Sequence, residues 1–258
     1  MKQTAARVFI TGASSGIGAA LARHYAARGA TLGLVARRAD ALAEVAASLA
    51  RPSASYAADV TDAAAMNAAA QDFTARHGLP DIVIANAGIS VGTLPEDGDD
   101  TAVLARVLAV NVVGLAATFQ PFVAPMRTAR RGTLVGVASV AGFRGLPGAA
   151  AYSSSKSGAI TWLESLRTEL HGSGVRVVTL CPGYIDTPMT RVNRYRMPFL
   201  LPADEAARRF ARVIDRGQRF AVVPWQMWLA SLALRALPRP LYERAFARAP
   251  RKPRKLPL

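Results

Sequence analysis

Tyr152 and Lys156 stand four residues apart in the run Tyr152-Ser153-Ser154-Ser155-Lys156, so on a helix they share one face, one turn apart. A phenol with a reference pKa of about 10 is a weak base near neutrality, but a neighbouring ammonium favours the phenolate. Lowering it by about three units corresponds to roughly 4 kcal/mol of differential stabilisation. A tyrosine tuned in this way can give or take a proton at a substrate oxygen. The second place with chemical potential is the turn Thr11-Gly12-Ala13-Ser14-Ser15-Gly16-Ile17-Gly18. Glycines there allow a tight turn and let backbone N–H groups approach a pyrophosphate, while a following helix N-terminus favours negative charge. His24, His77 and His171 are scattered without acidic or cysteine partners at useful spacing, so no metal is expected. The single cysteine, Cys181, precedes Pro182 at the end of an apolar run and reads as a buried inert thiol.

Short apolar runs of strand length alternate with helical spacing along the chain. The strands are expected at Val8 to Ile10, Thr31 to Ala36, Ser55 to Ala58, Ile82 to Ala85, Thr133 to Ala138 and Arg176 to Leu180. The helices are expected at Ala19 to Ala27, Ala39 to Leu49, Ala63 to Arg76, Val103 to Phe122 and Ser153 to Leu170. This alternation predicts an α/β fold with a parallel sheet covered on both faces, which is why its strands read as continuous apolar runs. The glycine turn closes the first strand, and the Tyr-x-x-x-Lys pair opens the last long helix.

The order of these motifs, over roughly Ala6 to Met189, resembles the short-chain dehydrogenase/reductase family. The Gly-x-x-x-Gly-x-Gly spacing after a threonine is the form used by that family, and Asn86-Ala87-Gly88 sits at the end of the fourth strand, where the family places its Asn-Ala-Gly signature. Ala85 stands where many members carry a first asparagine. The resemblance implies a Rossmann-type doubly wound sheet in a single domain, a catalytic set of Asn111, Ser139, Tyr152 and Lys156, and a homo-oligomer, dimer or tetramer. It implies that Ser139 hydrogen-bonds the reacting oxygen, that Tyr152 and Lys156 meet around a nicotinamide ribose, and that Asn111 positions a relay water. For the coenzyme it implies Gly12, Ser14, Ser15, Gly16, Ile17 and Gly18 at the pyrophosphate, and Asp59 and Val60 at the adenine. Asn86, Ala87 and Gly88 then border the adenine-side ribose, and Pro182, Gly183, Ile185 and Thr187 fold over the nicotinamide.

Coenzyme choice turns on the end of the second strand, Leu34-Val35-Ala36-Arg37-Arg38. A ribose 2′-hydroxyl needs a carboxylate there, whereas a 2′-phosphate needs an arginine. Ala36 fills the acidic position, and Arg37 and Arg38 follow, so NADP(H) is expected. The segment Met189 to Leu201 corresponds to the family's lid and carries Met189, Tyr195, Met197, Phe199, Leu200 and Leu201, which fits a hydrophobic carbonyl or alcohol substrate.

The net charge of +15 is unevenly placed. Met1 to Met189 carries 16 basic and 13 acidic residues, and Thr190 to Leu258 carries 16 basic and 4 acidic, so +12 of the +15 lies in the tail. Three segments follow: a core over 1–189, a lid and core-completing segment over 190–219, and an amphipathic basic extension over 220–258. In that extension, Trp225 to Leu237 is an apolar helical stretch, shorter than the roughly 20 residues of a membrane span and interrupted by Arg235. A second helix is expected over Leu241 to Ala249, followed by Arg251-Lys252-Pro253-Arg254-Lys255, a cluster suited to anionic head groups. Docking on an anionic membrane and packing over the lid or a sister subunit both fit this composition. A different class also fits, a coenzyme-binding interaction protein whose tail engages nucleic acid or an acidic partner, although the interleaved Trp and Leu residues are more amphipathic than nucleic-acid arms usually are. The N-terminus leaves no room for a signal peptide's apolar core, so the expected location is cytoplasmic, or peripheral on the inner face of a membrane.

Overall fold

The structure, a computed structural model, describes residues 5–254. The expectation drawn from the N-terminus falls largely on Met1 to Thr4, which lie outside the described residues, as does Lys255 of the basic cluster. The chain opens with β1 (Arg7–Thr11), α1 (Gly16–Ala27), β2 (Thr31–Ala36), α2 (Ala39–Ala47), β3 (Ala54–Ala57), α3 (Ala63–His77) and β4 (Ile82–Ala85). It continues through α4 (Asp100–Leu108), a π-turn over Ala109–Val113, α5 (Gly114–Thr128), β5 (Thr133–Val137), α6 (Ala150–Glu169) and β6 (Arg176–Pro182). A small excursion, β7 (Ile185–Asp186), α7 (Pro188–Arg191) and β8 (Leu201–Pro202), leads to α8 (Ala203–Asp215), β9 (Phe220–Val223), α9 (Trp225–Ala236) and α10 (Arg239–Phe246).

Seven strands form one sheet in the order β3-β2-β1-β4-β5-β6-β9, every neighbouring pair parallel. β4 and β5 are buried at every position, as expected for strands covered on both sides. Side chains alternate between the two layers. In β1, Val8 and Ile10 join the cluster of α1 and α8, which includes Leu21, Tyr25 and Phe210. Phe9 joins the other cluster, with Phe73, Phe119, Phe122 and Leu163 from α3, α5 and α6. The chain runs outward from β1 to β3 and then returns to β4, so the strand order reverses between β1 and β4. That reversal opens a crevice at the carboxyl ends of these strands, the place where such sheets bind ligands.

The fold departs from the sequence pattern in two places. The helix expected to run unbroken over Val103 to Phe122 is interrupted by the π-turn, which contains Asn111. The extension expected from 220 begins later, because Phe220–Val223 pairs with Thr179–Pro182 as the seventh strand. Its Phe-Ala-Val-Val run is of strand type, and the amphipathic part starts only at Trp225.

Candidate active site

The crevice at the strand ends is a cleft of about 620 Å³ that reaches from Arg37 and Arg38 to Ser139, Tyr152 and Lys156. Tyr152 lies in the first turn of α6 and Lys156 one turn on, with the Lys156 ammonium 5.8 Å from the centre of the Tyr152 ring. Lys156 is only 4% exposed, and its Nζ donates to the Val137 carbonyl at 2.9 Å. Burial pushes its pKa down to about 8. Burial also pushes the Tyr152 phenol above its ordinary value, against a pull from the Ser139 hydroxyl. The sequence expectation is that Lys156 lowers the phenol; here burial is the leading influence on it, and the ammonium donates to the Val137 carbonyl. Ser139 follows β5 in extended backbone, its Oγ accepts the Ala141 N–H at 3.1 Å, and its hydroxyl faces the Tyr152 phenol.

Asn111 is 1% exposed, and its amide makes three hydrogen bonds to protein groups. Its Oδ1 accepts from Ile89 N at 2.9 Å, and its Nδ2 donates to Ile89 O at 3.0 Å and to Ser155 Oγ at 2.9 Å. The π-turn presents this amide, as single π-turns often do near functional sites. Gly88 lets the amide and the lysine come close, since a Cβ there would lie 3.2 Å from Asn111 Oδ1 and 3.4 Å from Lys156 Nζ. Asn111 therefore fixes the loop after β4 next to Lys156. The role of Ser155 as its partner, and of Val137 as the anchor of Lys156, left no mark in the motif pattern because both depend on long-range packing.

At the other end, Gly12 and Gly16 hold φ of +67° and +54°, conformations that only glycine adopts without strain. Gly18 lies under the turn, where a Cβ would come within 2.2 Å of the Gly12 carbonyl. Ser14, Ser15, Gly16 and Ile17 line the cleft. Ser15 caps α1 without a side-chain hydrogen bond, so the first amides of the helix have no side-chain acceptor. A cradle of unengaged amides between a basic end and a Tyr/Lys end fits a dinucleotide. Asn86 stitches the two central strand ends together, its Nδ2 donating to Thr11 O at 3.1 Å and Gly12 O at 3.2 Å. Ala87 and Gly88 line the cleft beside it, and Pro182, Gly183, Ile185 and Thr187 form the opposite wall.

Val60 and Asp59 close the basic end. Asp59 is shared, at 2.9 Å from Arg106 and 3.9 Å from Arg37. Burial raises its carboxyl, but hydrogen bonds from Thr61 and Arg106 outweigh that and leave it below the usual range. Arg106, forty-seven residues away, braces Asp59 without itself lining the cleft, a partnership the sequence did not reveal.

The tail packs against the loop after Ser139. Arg144, in the loop after Ser139, donates to the carbonyls of Leu234 and Leu237, the latter at 2.8 Å, and its guanidinium sits 4.0 Å over the Tyr242 ring. Tyr242 in turn donates to Gly145 O at 2.6 Å. Phe143, Phe220 and Trp228 form an aromatic cluster with centroid separations of 6.0–6.2 Å. Tyr184 meets Tyr195 of the lid edge-on at 6.4 Å. Of the other lid residues, Met189 lines the cleft and Met197 is half-buried, whereas Phe199 and Leu200 are exposed.

The lowered Lys156 pKa has a measurable consequence for stability. Between about 8 and the ordinary lysine value of 10.5 the folded lysine is neutral while the unfolded one is still protonated, so the unfolded state binds more protons and stability rises with pH. The cost of burying the ammonium is fully present below pH 8 and disappears towards pH 10. Lys156→Met removes this dependence: in denaturant titrations, the stability of the wild type relative to the variant rises by about 1–2 kcal/mol between pH 7 and pH 9.5. A pH-independent difference would show that Lys156 titrates normally.

The chain matches the model of the short chain dehydrogenase family over residues 6–197. It is 38% identical to an uncharacterized oxidoreductase of Myxococcus xanthus over 245 residues, 93% of this chain and 95% of the relative. It is 36% identical to the cis-4-hydroxycyclohexanecarboxylate dehydrogenase of Sinomonas cyclohexanicum, covering 79% of each. Among solved structures, levodione reductase superposes with a TM-score of 0.80 at 26% identity, covering 88% of this chain and 99% of that one. With the glycine turn, the Ser-Tyr-Lys cleft and the strand order all in agreement with these matches, the chain belongs to the short-chain dehydrogenase family and is an oxidoreductase of that type.

Proposed function

We propose that the protein is an NADP(H)-dependent oxidoreductase that moves a hydride between the nicotinamide and a carbonyl or alcohol carbon of a hydrophobic substrate. The observation that carries this reading is the cleft itself, with an arginine pair at one end and Ser139, Tyr152 and Lys156 at the other. The coenzyme supplies or accepts the hydride. Tyr152 gives its proton to the substrate oxygen in reduction and takes one back in oxidation. Ser139, whose acceptor side is occupied by Ala141, donates to the same oxygen and stabilises developing charge. Lys156, with its pKa near 8, exchanges a proton close to neutrality and can replenish Tyr152. The half-buried Tyr184, Tyr195 and Met197 favour an apolar substrate body. The Sinomonas relative, named for a ring alcohol, supports the same class.

NADP(H) is favoured because Ala36 ends β2 without a carboxylate and Arg37 is held only by a 3.9 Å ion pair to Asp59, which a 2′-phosphate can outcompete. A homo-oligomer and a cytoplasmic or inner-membrane location complete the reading. Membrane contact rests on the outer face of α9, where Trp225 (62% exposed), Trp228, Leu229 and Leu232 lie at i, i+3, i+4 and i+7. Exposed Arg235, Arg239, Arg244 and Arg248 follow in the same segment, so rings and aliphatics can enter the acyl boundary while the cations stay with anionic head groups. An interaction protein without turnover is the competing reading, and a turnover assay on carbonyl and alcohol substrates separates the two.

Three outcomes are expected. Tyr152→Phe loses most turnover, at least about a hundredfold, yet binds NADPH as the wild type does; near wild-type turnover would remove the phenol from the mechanism. Arg37→Ala weakens NADPH binding roughly ten- to hundredfold, as expected for the loss of a charge-assisted hydrogen bond of ~1.5 to 3 kcal/mol, with NADH barely affected. Tighter binding of NADH than of NADPH by the wild type would overturn the coenzyme assignment. Finally, the protein sediments with anionic liposomes in a salt-sensitive manner, and the triple change Trp225→Ser, Leu229→Ser, Leu232→Ser weakens this about tenfold or more. Recovery of both proteins in the supernatant rejects docking.

A further inference from the structure

Lys252 is a buried cation with no part in the proton transfer. Lys156 and Lys252 are the lysines among the described residues, and both are buried, at 4% and 8% exposure. The segment from Arg251 to Arg254 runs as a strap across the substrate side. Its Pro253 carbonyl accepts the Gly92 N–H at 2.9 Å. The Lys252 carbonyl lies so near Gly92 that a Cβ there would come within 2.2 Å of it. The Arg251 side chain covers Gly148, where a Cβ would fall 2.7 Å from its Cβ and Cγ. Arg254 pairs with Asp97 and, at 3.3 Å, with Asp100. From this backbone, docked on the loops after β4 and β5, the Lys252 side chain reaches to the Met189 carbonyl in α7 at 3.1 Å. Met189 lines the cleft, and Ala151, beside Tyr152, donates to Thr93 of the same loop at 3.4 Å. Lys252 thus ties the strap to α7, whose Met189 lines the cleft.

Among the described residues the Lys252 ammonium meets a neutral acceptor, the Met189 carbonyl. Burial brings its pKa down to about 8, with no acidic group among the described residues acting on it in the opposite direction. Asp97 and Asp100, the acids nearest in the strap's own contacts, are engaged by Arg254. A buried cation without a counter-charge costs free energy that an incoming anion offsets. Resting on the oxidoreductase reading of the cleft, we propose that Lys252 recognises an anionic group on the substrate, which is then an apolar ketone or alcohol bearing a carboxylate away from its reacting carbon. Lys252 stands directly behind the Met189 wall of the cleft, and the Met189 carbonyl holds the ammonium in place when no substrate is bound.

The test separates recognition from turnover. The full-length protein with saturating coenzyme, NADP⁺ or NAD⁺ according to which it binds, is titrated calorimetrically with cyclohexanecarboxylate and with its neutral counterpart, cyclohexanecarboxamide. The wild type is expected to bind the carboxylate roughly ten- to hundredfold more tightly than the amide, the range for one charge-assisted hydrogen bond. Lys252→Met abolishes that preference, Lys252→Arg keeps part of it, and both bind coenzyme as the wild type does, which reports an intact fold. Equal or absent binding of the two ligands by the wild type overturns the proposal, as does a preference that survives in Lys252→Met. A lack of turnover on every alcohol and ketone tried counts against the oxidoreductase reading instead, because the binding comparison needs no chemistry.

Discussion

Everything in the cleft depends on the clasp between the ends of β1 and β4, where the strand order reverses and the sheet alone leaves a gap. Thr11 Oγ1 accepts the backbone N–H groups of Asn86 and Ala87 at 3.2 and 3.3 Å, and the Asn86 amide returns two hydrogen bonds to Thr11 and Gly12. These bonds fix the glycine turn relative to the loop after β4. That loop in turn is held by Asn111, which also contacts Ser155 in α6 between Tyr152 and Lys156. One continuous hydrogen-bonded path therefore connects the glycine turn to the helix that carries Tyr152 and Lys156. Because each group on it is buried or half-buried, loss of one partner leaves another unsatisfied, and the energetic cost exceeds that of a single exposed bond.

The parts that are legible in the sequence are those determined by local pattern. Runs such as Ile82 to Ala85 and Thr133 to Val137 have to be central strands, because an unbroken apolar segment of that length between glycine turns is buried on both faces. The Tyr-x-x-x-Lys spacing alone is enough to place its two side chains on one face of a helix. Features set by contacts between distant segments are not legible. The break at Asn111 is one, since Val103 to Phe122 reads as an unbroken helix and the π-turn answers to packing around Ile89 and Ser155. The partnership of Asp59 with Arg106 is another. Phe220–Val223 escapes the pattern for a third reason: charge asymmetry marks composition, and an edge strand can lie inside a basic segment.

The two ends of the cleft treat charge differently. The coenzyme end offers half-exposed arginines already partnered by Asp59, so they can exchange one anion for another at little cost. The proton-transfer end removes its lysine from water and satisfies it with a carbonyl, which keeps the ammonium close to the point of losing its proton. The tail combines both modes, with arginines that remain in solvent and one lysine that is enclosed. A high net charge is therefore compatible with a well-packed active site, because arginines carry most of it, while the lysines among the described residues are the cations taken out of water.

The sequence distances spanned by these contacts set what each costs to close. The clasp at the coenzyme end joins residues 74 to 76 apart, whereas Arg144 reaches Leu237 across 93 positions and Arg254 reaches Asp97 across 157. Closing a longer loop costs more entropy, and contacts distant in sequence form more slowly. By loop entropy alone the clasp is the less costly closure, by about 0.6 kcal/mol for each doubling of loop length, and the cleft is complete only when the wall from Pro182 to Thr187 closes against it.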